Sequence, residues 1–166
     1  HTGKKVDSLQ TVQNIFSCLH IEELYNFTLP EWTKEVYPDK MYELSGLSFA
    51  VKTYTPLLAR LKTGNLLKEI FTHYRNKTIN VLKPNRNLFI YSAHDTTVAN
   101  VLNTLNVFKT LGYHNPGYCA TVLFELREIN QKYFVQVFYR NSSTGEPLQL
   151  DLPKCGLSCP LDKMFE

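Results

Sequence analysis

The sequence predicts an α/β protein, helical in its first half and mixed in its second. Three observations predict it. Apolar residues recur at spacings of three and four through the first half, a short unbroken apolar run (Leu88-Phe89-Ile90-Tyr91-Ser92) follows, and two segments of period two come after that.

Taken in order, Asp7 to Leu24 carries Leu9, Val12, Ile15, Phe16 and Leu19 on one helical face. Asn26 to Pro30 reads as a turn, and Pro30-Glu31-Trp32 opens a new helical turn, because proline is tolerated at the first helical position. From Asp39 a further helix is marked by Met41, Leu44, Leu47 and Ser48, with Pro38-Asp39 as its start. Thr55 to Leu61 and Leu66 to Tyr74 read as two helical segments around Gly64, the second presenting Leu66, Leu67, Ile70, Phe71 and Tyr74. After the turn-like Lys83-Pro84-Asn85, the run Leu88 to Ser92 reads as a strand buried on both faces. A helix follows at once, with Thr96 or Thr97 as its cap and Val98, Val101, Leu102 and Leu105 as its apolar stripe. Val122, Phe124 and Leu126 alternate with polar neighbours, as do Tyr133, Val135, Val137 and Tyr139, so the two segments predict a hairpin across Glu128 to Lys132. Asn141 to Glu166, rich in Ser, Gly and Pro, reads as loop.

Composition narrows the function. The 166 residues are 43% hydrophobic, enough for a core and against disorder. The net charge of +3 comes from 18 basic and 15 acidic side chains in mixed order, with no basic stripe, so nucleic-acid binding has no electrostatic support. The longest apolar stretches, such as Leu44 to Val51, are too short and too interrupted by Ser and Gly to cross a bilayer, and His1 to Lys5 reads as neither a signal peptide nor an obvious anchor.

Two features point to an oxidising lumen. Three glycosylation sequons occur at Asn26, Asn76 and Asn141; the bland alternative is polar loop residues. The four cysteines, Cys18, Cys119, Cys155 and Cys159, lack the spacing of a zinc site. They allow three pairings. Cys155 and Cys159 are close enough in a Pro- and Gly-containing segment to close a small ring, which leaves Cys18 with Cys119. The alternative is four free thiols in a cytosolic protein.

The chemistry concentrates in Ser92-Ala93-His94-Asp95-Thr96-Thr97, between the apolar run and its helix. Ligands of open α/β sheets bind beyond the carboxyl ends of strands, and a helix N-terminus offers N–H groups to an anion. A histidine there can hydrogen-bond a phosphoryl oxygen, and a protonated aspartic acid can give its proton to a departing alkoxide. Alone, the pair is a very weak signal, and an N-capping aspartate after a packed histidine accounts for it better.

This segment resembles the second signature of the histidine acid phosphatases, particularly their prostatic and lysosomal branch. Further landmarks resemble that family in family order. They are Asn26-Phe27-Thr28-Leu29-Pro30-Glu31-Trp32, Arg60-Leu61-Lys62-Thr63-Gly64 with Glu69-Ile70, Tyr133-Phe134-Val135, Tyr139-Arg140-Asn141, and Leu152-Pro153 before Cys155 and Cys159. The resemblance implies the C-terminal part of a histidine-phosphatase sheet domain with helices on both faces, plus a largely helical inserted region. Residues 1–82 would belong to that insert, or lid, and residues 83–166 to the sheet domain. By the same carry-over His94 is the histidine that contacts phosphate and Asp95 the general acid, and the cysteine positions resemble paired family cysteines.

The family's Arg-His-Gly nucleophile segment does not occur in this chain. His1, His20, His73 and His114 lack its context and read as surface or packing residues. The expectation is therefore a full-length phosphomonoesterase working through a phosphohistidine, of which residues 1–166 alone would be inactive. No cofactor or metal is implied, the partner is a phosphomonoester substrate, a homodimer is compatible, and the location is secreted or lysosomal. The rival readings are a non-catalytic secreted relative and a phytase-like enzyme of the same superfamily.

Overall fold

The computed structural model describes residue 3 and residues 5–165. His1 and Glu166, named above, lie outside the described residues. Helix α1 (Leu9–Leu24) starts at Ser8, whose hydroxyl accepts the Thr11 N–H at 3.2 Å and so satisfies one of the helix's unpaired donors. A 3₁₀ turn (Glu31–Glu35) follows Pro30, and α2 (Asp39–Ala50) starts where its sequence places it. Phe16, Leu19, Tyr37 and Met41 bury together and hold α1, the turn and α2 as one apolar cluster.

Helix α3 (Pro56–Thr78) is a single element rather than two segments around Gly64. Thr55 caps it by accepting the Leu58 N–H at 3.2 Å, Pro56 begins it, and Arg75 and Lys77 sit against the negative end of its dipole. A mid-helix glycine costs only about 1 kcal/mol relative to alanine. Burial of Ile70 and Phe71 outweighs that, so Gly64 does not interrupt the helix.

Helix α4 (Asp95–Thr104) buries Ala99, Val101 and Leu102. Strands β1 (Thr121–Ile129) and β2 (Lys132–Arg140) form the predicted hairpin, Thr121 opposite Arg140 and Ile129 opposite Lys132. Its two turn residues, Asn130 and Gln131, both have positive φ (50° and 63°), the twist that a two-residue hairpin turn requires. Val122, Phe124 and Leu126 lie opposite Tyr139, Val137 and Val135, so both alternating patterns face one side. There they share a core with Ile70 and Phe71 of α3 and Ala99 and Leu102 of α4. Phe134, Gln136 and Phe138 form the half-buried opposite face of β2. The chain thus has the α/β class predicted, with four α-helices and a small antiparallel sheet among the described residues.

Two further segments differ from expectation. The run Leu88 to Ser92 is not a buried strand: it pairs with no strand among the described residues, and Leu88 and Ile90 are 71% and 83% exposed. A strand is stable only when its backbone groups find a neighbour, and this hairpin sheet offers the run none. Residues 141–165 are not all loop. Two short strands, β3 (Leu148–Gln149) and β4 (Cys159–Pro160), both pair with β2, and a 3₁₀ turn (Leu161–Phe165) follows. Leu150, Leu152, Cys159 and Leu161 are buried in the main core, which explains why the segment is pinned.

Cys155 and Cys159 are joined by a disulfide, their Cα atoms 4.9 Å apart. The Cys18–Cys119 bond is not formed: both thiols are free and exposed, Cys18 lying on α1 between the buried Phe16 and Leu19 but turned to solvent.

Candidate functional site

The segment leading to His94 is strapped to α3. The Phe89 ring stacks on His73 at 4.1 Å between centroids, and the Tyr91 hydroxyl donates to Glu69 Oε1 at 3.1 Å. Burial, then the Glu69 carboxylate, push the Tyr91 phenol above its ordinary range.

His94 is the residue at which the chain turns into α4. Its backbone is extended (φ −102°, ψ 163°), and its carbonyl accepts the N–H groups of Thr97 and Val98 at 2.9 and 3.1 Å. The cap is therefore His94, not Thr96 or Thr97. The helix can begin that early because Asp95 brings a carboxylate to the positive end of the dipole, where Oδ1 accepts the Thr96 N–H at 2.5 Å. Both side chains are exposed, and His94 makes no side-chain capping bond. His94 is thus no packed core histidine.

Both residues line a cleft of about 650 Å³. Opposite them stand Phe16, His20 and Glu23 of α1, Tyr37, and Tyr42 and Ser45 of α2; residues 115–120 close the third side. The Tyr37 hydroxyl donates to Glu23 Oε2 at 2.6 Å, and His20 Nδ1 lies 3.9 Å from the same oxygen while its ring stacks on Phe16. Burial and the bond to Glu23 hold the Tyr37 phenol well above its usual range. Tyr42 is also raised by burial, partly opposed by a backbone bond from Asn115. Asn115 Nδ2 donates to the buried Ser45 hydroxyl at 3.0 Å and ties the third side to α2. Among the described residues the lining contains no lysine or arginine. Among the described residues no group of three or more His, Cys, Asp or Glu could hold a metal ion.

The structure thus brings His94 and Asp95 together, with Cys119 on the rim of the same cleft, and leaves Cys155–Cys159 elsewhere. A second, more open cavity of about 760 Å³ lies beside that disulfide and holds neither His94 nor Asp95. Asn26 is exposed in the turn after α1, Asn76 is half-buried in the last turn of α3, and Asn141 is exposed just after β2. His20, read from sequence as a surface or packing residue, lines the cleft, as do Glu23 and Tyr37; His73 packs on Phe89, and His114 lies near Tyr42. Nothing in the local sequence distinguishes His20 and Glu23 from any i, i+3 pair on a solvated helix.

A histidine and an aspartate thus stand at a helix N-terminus and line one cleft. Residues 3–140 match the histidine phosphatase superfamily (branch 2), and the chain belongs to that family. It is 37% identical to the prostatic acid phosphatase of Homo sapiens over 92% of its length. It is 33% identical to the lysosomal acid phosphatase of Xenopus laevis over 96%, and 28% identical to the venom acid phosphatase of Apis mellifera over 99%. These matches cover 39%, 37% and 42% of the relatives, so the chain spans about two fifths of the proteins it resembles.

Proposed function

We propose that the protein containing this chain is an acid phosphatase that hydrolyses phosphate monoesters, and that His94 and Asp95 supply the phosphate contact and the general acid. The observation that carries the reading is their adjacency at the N-terminus of α4, facing one cleft, in a chain of the histidine phosphatase superfamily. A histidine outside this chain would attack phosphorus, forming a P–N bond as the ester P–O bond breaks. Asp95 would deliver its proton to the leaving oxygen, and water would then cleave the phosphohistidine to release phosphate. Because Oδ1 already accepts the Thr96 N–H, the transferred proton would ride on Oδ2.

We further propose that residues 1–82 shape the substrate entrance and that residues 83–166 belong to the sheet domain. The separate apolar cluster of α1 and α2 supports the first assignment. Neighbouring strands from the rest of the protein would then cover the exposed Leu88 and Ile90. A secreted or lysosomal location fits the disulfide, the three sequons and the prostatic and lysosomal relatives. No helix among the described residues is long and apolar enough to cross a membrane.

The test is Asp95→Asn in the full-length protein. Turnover of an alkyl phosphate is expected to fall by a factor of about 10² to 10⁴, the usual contribution of a general acid, and that of p-nitrophenyl phosphate by much less, since its leaving group needs little protonation. Equal losses on both substrates would instead make Asp95 a positioning or capping residue.

A further inference from the structure

The third side of the cleft, residues 115–120, contains no regular element until β1 begins at Thr121, yet it faces His94 and Asp95. One end is tied by the Asn115–Ser45 bond. Its middle, at Gly117, is held by Asn141, the residue after β2. Its Oδ1 accepts the Gly117 N–H at 2.9 Å and also the Tyr139 hydroxyl. A backbone N–H can only donate, so the carboxamide must turn its oxygen toward Gly117 and its NH₂ away. The approach is also steric: a Cβ on Gly117 would stand 2.5 Å from the Asn141 carbonyl oxygen, so only glycine lets these two backbones meet.

We infer that Asn141 is a positioning residue for substrate binding in this cleft, acting through Gly117 on the segment 115–120; the inference rests on the phosphatase reading of the site. Asn141 is also the acceptor of the sequon Asn141-Ser142-Ser143. The two roles are compatible, because a glycan is attached through Nδ2 and the clamp uses Oδ1. The side chain therefore holds the cleft wall from within whether or not a sugar extends outward.

The experiment compares three variants of the full-length protein. Asn141→Ala removes clamp and sequon, Ser143→Ala removes the sequon alone, and Asn141→Asp removes the sequon but keeps an acceptor oxygen. For an alkyl phosphate, Asn141→Ala is expected to raise KM by about three- to tenfold, as loss of one or two hydrogen bonds of ordinary net strength implies, with kcat within about twofold. Ser143→Ala and Asn141→Asp are expected to stay within about twofold of the parent in both constants. An unchanged KM in Asn141→Ala, or equal shifts in Asn141→Ala and Ser143→Ala, would overturn the inference, the second outcome assigning the effect to the sugar. If the parent turns over no phosphomonoester, the phosphatase reading fails on its own. The clamp is then decided by hydrogen exchange across residues 115–120, which must quicken in Asn141→Ala and not in Ser143→Ala; equal exchange in the two variants refutes it.

Discussion

Two helical glycines give opposite predictions that depend only on what surrounds them. In both α2 and α3 the change from glycine to alanine removes backbone freedom from the unfolded chain and favours the helix by about 1 kcal/mol. At Gly64 the nearest neighbour of an added Cβ is the Arg60 Cγ at 3.6 Å, an ordinary van der Waals contact with a side chain. Gly64→Ala should therefore stabilise by roughly 0.5–1 kcal/mol. At Gly46 the same atom would stand 1.9 Å from the Tyr113 carbonyl oxygen, whereas ordinary van der Waals contact begins at 3.4 Å. No rotamer change relieves a clash with backbone, so α2 and residues 113–115 must separate, breaking the Asn115–Ser45 bond as they do. Overpacking of this kind costs about 1–3 kcal/mol, with the lost hydrogen bond adding about 1 kcal/mol, against the 1 kcal/mol gained from propensity. Gly46→Ala should destabilise by about 2 kcal/mol. In urea, with a slope near 2 kcal/mol per molar, the unfolding midpoint of the intact protein would fall by about 1 M for Gly46→Ala and rise by about 0.3–0.5 M for Gly64→Ala. Midpoints moving in the same direction would refute the reasoning, because the intrinsic term is common and only the packing differs.

Tyr139 gives a prediction in pH. Burial, then the neighbouring Tyr42 phenol, push its pKa up to about 12 from an ordinary 10, so the folded state keeps a proton that the unfolded chain releases. The stabilisation is complete below pH 10 and is lost as pH rises toward 12; Tyr139→Phe should flatten the decline measured by denaturation at successive alkaline pH values, and an unchanged slope would contradict it. Residues 1–166 expressed alone are expected to show no phosphatase turnover above background at acidic pH, because the Arg-His-Gly segment is absent from the chain. Turnover that vanishes in His94→Ala would place a complete site within these residues and overturn the assignment of the nucleophile.

The parts of the fold that sequence predicted are those decided by neighbours in the chain. The spacing of Leu9 to Leu19 marks α1, Pro56 stands near the start of α3, and the alternation of Val122, Phe124 and Leu126 with that of Tyr133 to Tyr139 marks the hairpin. The failures at Gly64 and at Leu88 to Ser92 involved partners far away. Gly64 looked like a break because the burial of Ile70 and Phe71 against Phe124 and its neighbours is not visible locally. Leu88 to Ser92 read as a buried strand because its composition is that of one, but a strand is completed by other strands, and here none adjoins it.

The site divides in the same way. His94 and Asp95 were singled out because the segment Ser92 to Thr97 resembles a family signature and its place between apolar run and helix is a local property; their surroundings were not legible. Glu23 meets Tyr37 across 14 residues, Asn141 meets Gly117 across 24, and Asn115 meets Ser45 across 70. None of these spacings carries a periodicity or a motif. Ser45-Gly46 read as no more than an interruption of an apolar stretch. In the fold, Ser45 receives a hydrogen bond from Asn115 and Gly46 the close approach of the Tyr113 carbonyl, so the two smallest side chains of that turn fix the distance between two walls of the cleft. The chemistry was therefore legible as a pair of residue types, whereas the shape that would select a substrate is set by small residues and carboxamides whose function exists only once the chain has folded.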